Sequence, residues 1–269
     1  MTTARVLGLA ICLASTSAFA LEQGEALING FGTVGVTHLG GEDDGRSYGI
    51  SGQTNDSWRG DQLSKFGAQL TYGVTDTVGL TLQTTAKAYG DEWKANLEWA
   101  YLSWQSTDNL MMRFGRLRTP VYMYSESIDV GFSYPWLRLP DEVYSQVQLS
   151  NYEGADIVYN LPLSFATLSF QLAGGIAKNR DYYIYDEEFD IDYDNVFGSS
   201  VSLATNDFGT FRVGYVEADI DTDISGSFTD IFGNPGTATL LSLDKDKGKF
   251  TSIGYQYDNG TWLTANEWT

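Results

Sequence analysis

The sequence is short of cysteine, histidine, proline and positive charge. Its single cysteine, Cys12, and single histidine, His38, leave no disulfide framework, no CxxC redox pair and no histidine-rich metal set. A barrel hydrolase would need His38 beside a serine or aspartates at a rim. His38 instead opens a loop carrying "GEDDG" (41–45), so it reads as an ordinary loop residue and no enzyme is expected. Sixteen lysines and arginines stand against 35 aspartates and glutamates, a formal charge of −19. Phosphate backbones are bound by basic surfaces, so nucleic acid is not an expected partner. Beyond the first twenty residues no window holds the roughly 20 apolar residues that a transmembrane helix needs. No glycine-rich phosphate loop joins a strand to a helix.

The N-terminus has the form of an export signal. Arg5 supplies a basic start, "VLGLAICLA" (Val6 to Ala14) a nine-residue apolar core, and Ala18-Phe19-Ala20 a small-x-small cleavage site. Cys12 lies within it and follows Ile11, where a lipid-anchor site would have a small residue. Residues 1–20 are therefore expected to be removed, leaving 249 residues from Leu21 with no cysteine and a charge of −20. Such a chain must hold together by hydrogen bonding and burial alone. With 5 prolines, 28 glycines, 17 tyrosines and 7 tryptophans, it is either a β-rich soluble domain or a β-barrel of the outer membrane.

What is present is alternation. In "KFGAQLTY" (65–72), Phe66, Ala68, Leu70 and Tyr72 share one face and Lys65, Gly67, Gln69 and Thr71 the other. The pattern restarts at Val78, Leu80 and Leu82 against Gly79, Thr81 and Gln83, and again in "ATLSFQL" (166–172). Eleven such strands are expected, at 27–37, 62–73, 77–88, 95–105, 110–118, 153–160, 165–175, 195–205, 209–217, 249–257 and 261–269. Short turns (74–77, 106–109, 160–164, 205–209, 258–260) alternate with excursions at 38–61, 89–94, 119–152, 176–194 and 218–248, of which only the second is short. Hairpins with short turns at one end and long loops at the other mark outer-membrane barrels. A soluble sandwich would charge its solvated faces. Here the polar faces are mostly Ser, Thr, Gln and Gly, and Tyr72, Trp99, Tyr101, Trp104, Tyr159, Tyr255 and Tyr257 fall near strand ends, where interfacial girdles lie. In lipid no strand edge can stay unpaired, so the expectation is an all-β, transmembrane, antiparallel up-and-down barrel.

Single-chain bacterial barrels have even strand numbers, and the last strand stops at "ANEWT" without the usual terminal aromatic residue. At about 23 residues per strand, a barrel of about 16 strands would need roughly 360 residues, about 110 more than are present. The chain thus reads as the N-terminal two-thirds of a longer barrel, residues 21–269, with an inward third loop at 119–152.

"INGFGTVGVT", "SKFGAQLTYGVTDTVGLTLQ" and "LEWAYLSWQSTDNLMMRFGRLRTP" resemble the first strand, the second hairpin and the fourth and fifth strands of Gram-negative general porins. The likeness runs over essentially all of Leu21 to Thr269 and is one of composition and spacing. It implies a trimeric, water-filled channel, narrowed by a third loop whose carboxylates face basic wall residues. By position Lys65 and Arg116 match two such residues. A third wall arginine has no counterpart, "NYEGADIVYN" offering Asp156 instead, and the Pro-Glu-Phe-Gly-Gly loop tip of the enterobacterial branch is absent.

"RFGRLRTP" (113–120) sets three arginines within six residues. Arg116 and Arg118 share a parity, and facing lipid each would cost about 2–4 kcal/mol at mid-depth, so the lumen is the cheaper side. Arg113, of opposite parity, is expected near the headgroups. Lys65, Arg116 and Arg118 opposite Glu126 and Asp129 would set a transverse field at a constriction, sorting solutes by charge and dipole. The same charges could equally serve to fasten the loop.

Asp190, Asp192, Asp194 and Asp219, Asp221, Asp223 have the one-three-five spacing of a calcium loop. They lack its Gly at the sixth position and Glu at the twelfth, so Ca2+ or Mg2+ is at most a weak expectation and no other cofactor is indicated. A solvated, repulsive outer surface beside lipopolysaccharide is the simpler reading, and it would enrich cations at the mouth. The function expected is passive diffusion of ions and small hydrophilic solutes through a homotrimeric outer-membrane porin. A substrate-selective channel would add a ladder in the lumen, at which only Lys65 and Lys87 hint, and a barrel adhesin or receptor would use the long acidic loops.

Overall fold

The structure, a computed structural model, describes residues 9–10, 22–38, 58–61, 63–89, 92–147, 149–184, 187–229 and 235–269. Most of the signal segment and the "GEDDG" stretch lie outside these residues. Eleven long strands follow one another: β1 (Ala26–Val34), β2 (Lys65–Thr75), β3 (Val78–Tyr89), β4 (Glu92–Thr107), β5 (Leu110–Arg118), β6 (Asn151–Pro162), β7 (Ala166–Ile184), β8 (Glu187–Thr205), β9 (Thr210–Thr229), β10 (Pro235–Asp258) and β11 (Leu263–Trp268). Each pairs antiparallel with the next in a single up-and-down sheet. Leu9–Ala10 bridges the outer edge of β1, and Thr37–His38 pairs with Trp58–Arg59 in a separate ladder. Among the described residues β1 and β11 do not pair with each other, so the sheet is not closed. No described helix is long and apolar enough to cross a membrane.

All eleven expected strands are present, and alternation is why. The short turns are tight. At Gly209 (φ +81°) a Cβ would stand 2.1 Å from the Gln256 carbonyl oxygen, so only glycine closes the β8–β9 turn there.

Two expected loops are not loops. Residues 176–184 and 187–194 continue β7 and β8, and most of 218–248 continues β9 and β10, giving strands of 19, 19, 20 and 24 residues. At about 3.3 Å per residue these reach roughly 60–80 Å, whereas about 9–11 tilted residues cross a bilayer. The remainder rises beyond it.

Side-chain burial is inverted relative to a soluble protein. Phe170, Leu172, Val201, Phe211, Val213 and Ile253 are exposed, while Thr81, Gln83, Thr85, Gln171, Ser200 and Ser252 are buried on the concave side. Leaving that much apolar surface in water would cost about 25 cal/mol per Å2, so the convex face fits hydrocarbon. The ring positions expected in the girdle divide. Tyr72, Trp104 and Tyr159 are exposed, but Trp99 and Tyr101 pair with the inward Gln83 and Thr81 and turn inward with them.

Candidate functional site

The segment from Thr119 to Ser150, between β5 and β6, lies across the concave face. Its backbone turns sharply after Pro120, with Val121 N–H donating to the Thr119 carbonyl and Tyr122 N–H to Ser125 Oγ. Short 3-10 turns follow at Ser125–Ser127 and Gly131–Ser133, then a single helical turn at Asp141–Tyr144 after Pro140. The segment touches strands at both ends of the sheet. Lys65 of β2 donates to Tyr134 Oη (2.8 Å) and the Ile128 carbonyl (3.4 Å). Arg212 of β9 donates to the Pro120 carbonyl (3.3 Å), and Ser252 of β10 to that of Val121 (2.5 Å). Glu267 of β11 accepts from Met123 N–H (2.8 Å) and Tyr144 Oη (2.6 Å). The sheet therefore curls around the loop, as a barrel wall does. Gly214 lets the two backbones meet: a Cβ there would stand 2.0 Å from the Val121 carbonyl oxygen.

Two clusters of charge tie the loop to the wall. In the first, Asp129 is paired with Arg118 and, at 3.4 Å, with Lys87. Arg118 also meets Glu98 at 3.0 Å. Glu98 is the extra residue of a bulge where Gln83 pairs with Trp99 and Thr84 with Leu97. It accepts from Thr85 Oγ1 at 2.8 Å and Asn151 Nδ2 at 3.5 Å. Arg118, Glu98 and Asp129 are all buried. Burial pushes the Asp129 carboxyl up, but Lys87, Arg118 and Lys65 outweigh it and hold the group down to about 2.

In the second cluster Arg113 forms a two-pronged pair with Asp156, Nε at 2.9 Å and Nη2 at 2.6 Å, and also meets Glu126 at 3.1 Å. Gln171 Nε2 donates to the same Asp156 at 2.8 Å, and the Tyr101 ring lies 5.5 Å from the guanidinium.

Of the residues singled out in sequence, Lys65, Arg118 and Asp129 are thus brought together, while Glu126 meets Arg113. Arg113 is not at the headgroups but buried inside. Its neighbour Phe114 is 50 % exposed, so the parity shared by Phe114 and Arg116 faces outward and that of Arg113 inward. That apolar Phe114 between the arginines was the signal available. Arg116 pairs with Glu153 (2.5 Å) and donates to the Leu97 carbonyl (3.0 Å), away from the loop carboxylates, and Glu153 also holds Arg180 (2.6 Å). The β4–β5 ladder ends at Ala100–Arg116. Past that point Arg118 reaches inward despite sharing its parity with Arg116. Lys87, Glu98, Arg212 and Glu267 carry no local motif.

The calcium-loop spacing is strand alternation. Asp190, Asp192 and Asp194 lie on β8 and Asp219, Asp221 and Asp223 on β9, with Asp192 opposite Asp221 and Asp194 opposite Asp219. Lys178 holds Asp192 (3.1 Å) and Asp194 (2.8 Å), and Lys247 holds Asp219 (3.4 Å). Among the described residues no group of three or more carboxylates, histidines or cysteines is placed to hold a metal.

The loop leaves space beside it. A polar cavity of about 440 Å3 lies between the loop and the wall near Lys87, Glu98 and Arg118, and one of about 270 Å3 lies between the loop and β11.

No protein-family model matches the sequence, and no curated protein matches it. Solved structures that overlap it include outer-membrane expressed OmpT of Vibrio cholerae, at 10% identity and a TM-score of 0.31, covering 93% of this chain and 88% of that one. The in-vitro folded trimer form of OmpT overlaps at 12% identity and a TM-score of 0.30, covering 91% and 88%. Overlaps this loose assign neither fold nor function to this chain.

Proposed function

We propose that the chain forms the wall and constriction of an outer-membrane channel for passive diffusion of ions and small hydrophilic solutes. One observation carries this reading: a sheet with apolar side chains outside and polar ones inside holds a loop across its concave face and leaves polar space beside that loop. The wall contributes mainly cations (Lys65, Lys87, Arg113, Arg118, Arg212) and the loop mainly carboxylates (Glu126, Asp129, Asp141, Glu142). The field therefore runs across the passage and orients dipolar solutes rather than admitting one sign of ion alone. Most of these charges are directly paired, so they fasten the loop as well as shape the field. The acid of the extended hairpins lies on their outer side, where it keeps that surface hydrated beside lipopolysaccharide. Trimeric assembly belongs to the same proposal, as the porin resemblance implies.

Planar-bilayer recording of the purified protein tests it. Stepwise, weakly selective conductance in KCl is expected. A correctly folded protein that gives no current would overturn the reading in favour of a barrel adhesin.

A further inference from the structure

The cavity of about 270 Å3 between the third loop and β11 is largely aromatic. Among the described residues its lining includes no lysine, arginine or histidine, and Glu267 of β11 is the one charged group on it. Tyr124 and Trp136 of the loop meet there edge-on, with ring centroids 6.0 Å apart and planes at 89°, which makes a corner. The Tyr144 ring lies 6.5 Å from that of Tyr124, inclined at 38°. Glu267 accepts from Met123 N–H at 2.8 Å and from Tyr144 Oη at 2.6 Å, and among the described residues it forms no ion pair. Arg212, a wall cation whose field reaches Glu267, donates instead to the Pro120 carbonyl and to Ser202 Oγ at 3.2 Å. On the same limb of the loop Arg138 is held by Asp141 at 2.8 Å, and the adjoining Glu142 adds a further carboxylate. Tyr124 is 7 % exposed, and its hydroxyl has no hydrogen-bond partner.

Glu267 fastens the loop, but a neutral amide would accept the same two hydrogen bonds. What the carboxylate adds is negative charge beside an aromatic corner. The faces of tyrosine and tryptophan rings are electron-rich, and a cation within about 6 Å of a ring centroid is attracted to them, more strongly where water is excluded. Rings set at an angle around an acid suit a quaternary ammonium, whose charge is spread over methyl groups and cannot be met by hydrogen bonds. The volume lies just below the roughly 300–1,000 Å3 of drug-sized sites, so the occupant is compact. We propose that this cavity binds small organic cations with a quaternary ammonium head, the ring faces taking the methyl groups and Glu267 balancing the charge. A short tail carrying a hydroxyl would give the Tyr124 hydroxyl the partner it lacks. The role of the site rests on the channel reading, since a cation held there lies against the loop that narrows the passage. Binding itself can be read without any current.

The probe is choline, followed by saturation-transfer NMR of its methyl signal on the full chain in a maltoside detergent, with empty micelles as the control. Its neutral carbon isostere, 3,3-dimethylbutan-1-ol, separates charge from shape. Choline should bind, and the isostere should bind about tenfold more weakly, equivalent to about 1.4 kcal/mol. Glu267→Gln keeps an acceptor for Met123 N–H and should weaken choline binding by a similar factor, and Trp136→Leu should weaken it several-fold. Tyr144→Phe removes the hydroxyl bond to Glu267 but keeps the ring and the carboxylate, so choline affinity should stay within about threefold of wild type. Far-UV circular dichroism checks that each variant is folded. Should Glu267→Gln not fold, Trp136→Leu and the isostere decide. Equal affinity for choline and its isostere, unchanged choline affinity in Glu267→Gln or in Trp136→Leu, or no transfer beyond micelles overturns the proposal. So does a loss in Tyr144→Phe as large as that in Glu267→Gln, which would show that the position of the loop and not the charge governs binding. KCl current without choline binding would sink the site and leave the channel, and choline binding without current would do the reverse.

Discussion

Below Tyr215, strand β9 turns Phe211 and Val213 outward and Arg212 and Gly214 inward. Above it, the outward residues are Glu217, Asp219, Asp221 and Asp223, and the inward ones Val216, Ala218, Ile220, Thr222 and Ile224, all apolar but Thr222. The adjoining β8 does the same, with Val201 and Phe197 giving way outward to Asp194, Asp192 and Asp190, and Ser200 and Gly198 giving way inward to Val196, Tyr193 and Ile191. Both faces change solvent at one level. Outside, hydrocarbon gives way to water; inside, the wet lumen gives way to a dry core in which Val216, Ala218, Ile191 and Tyr193 pack against Tyr122 and Leu149 of the loop. Tyr215 sits at the change, its hydroxyl donating to Glu217 at 2.6 Å, as a ring with an apolar body and a wet tip suits a membrane surface. The loop is accordingly anchored twice, by ion pairs where the wall is polar and by apolar contact where it is not.

If the two halves differ in this way, the same kind of substitution should have unequal costs in them. The largest difference is expected for carboxylate removal. Asp156→Ala leaves the buried Arg113 with Glu126 alone and should cost about 3 kcal/mol in denaturant unfolding from vesicles. Asp194→Ala, which removes one of two acids beside the exposed Lys178, should not change unfolding measurably. Equal losses would mean that the lower pair is as wet as the upper one.

A smaller contrast concerns the outward face. Val213→Arg should destabilise by about 2–4 kcal/mol if that side chain lies at mid-depth in hydrocarbon, less if it lies nearer the surface. Asp221→Arg, eight residues along the same face, should leave stability unaltered. A destabilising Asp221→Arg would place the membrane boundary above Tyr215.

Sequence reading found every strand because alternation is a local signal. It missed the upper halves because they break that signal twice. Bulges between Gly175 and Arg180, between Asp194 and Phe197, and at Ile220/Thr222 reset the phase, with Asn179, Asn195 and Lys245 in the left-handed region (φ 51°, 49° and 58°). The polarity also inverts, so acid marks the outer face of a strand rather than a loop. At the site, Arg118 and Asp129 were legible as a basic wall and an acidic loop. Glu98 was not, because a bulge turns it inward. Glu267 was not, because its partner Met123 lies 144 positions away in sequence and nothing local announces the pair.

The smallest expected effect is a flat pH response, and it bears on which anchor holds the loop. The folded Asp129 carboxyl is held down to about 2, whereas an unfolded aspartate titrates near 3.9. A depressed pKa contributes stability that is fully present above the unfolded value and is lost as pH falls through the folded one. The Asp129–Arg118–Lys87 anchor should therefore persist from pH 7 to about 4 and weaken only as pH approaches 2. Single-channel conductance should be level over the upper range and change near its acid end. Asp129→Asn should show the acid-type conductance already at pH 7. A step in wild-type conductance between pH 6 and 4 would mean that a carboxylate other than Asp129 sets the loop. An Asp129→Asn channel indistinguishable from wild type would show that the apolar contacts of Tyr122 and Leu149 hold the loop unaided.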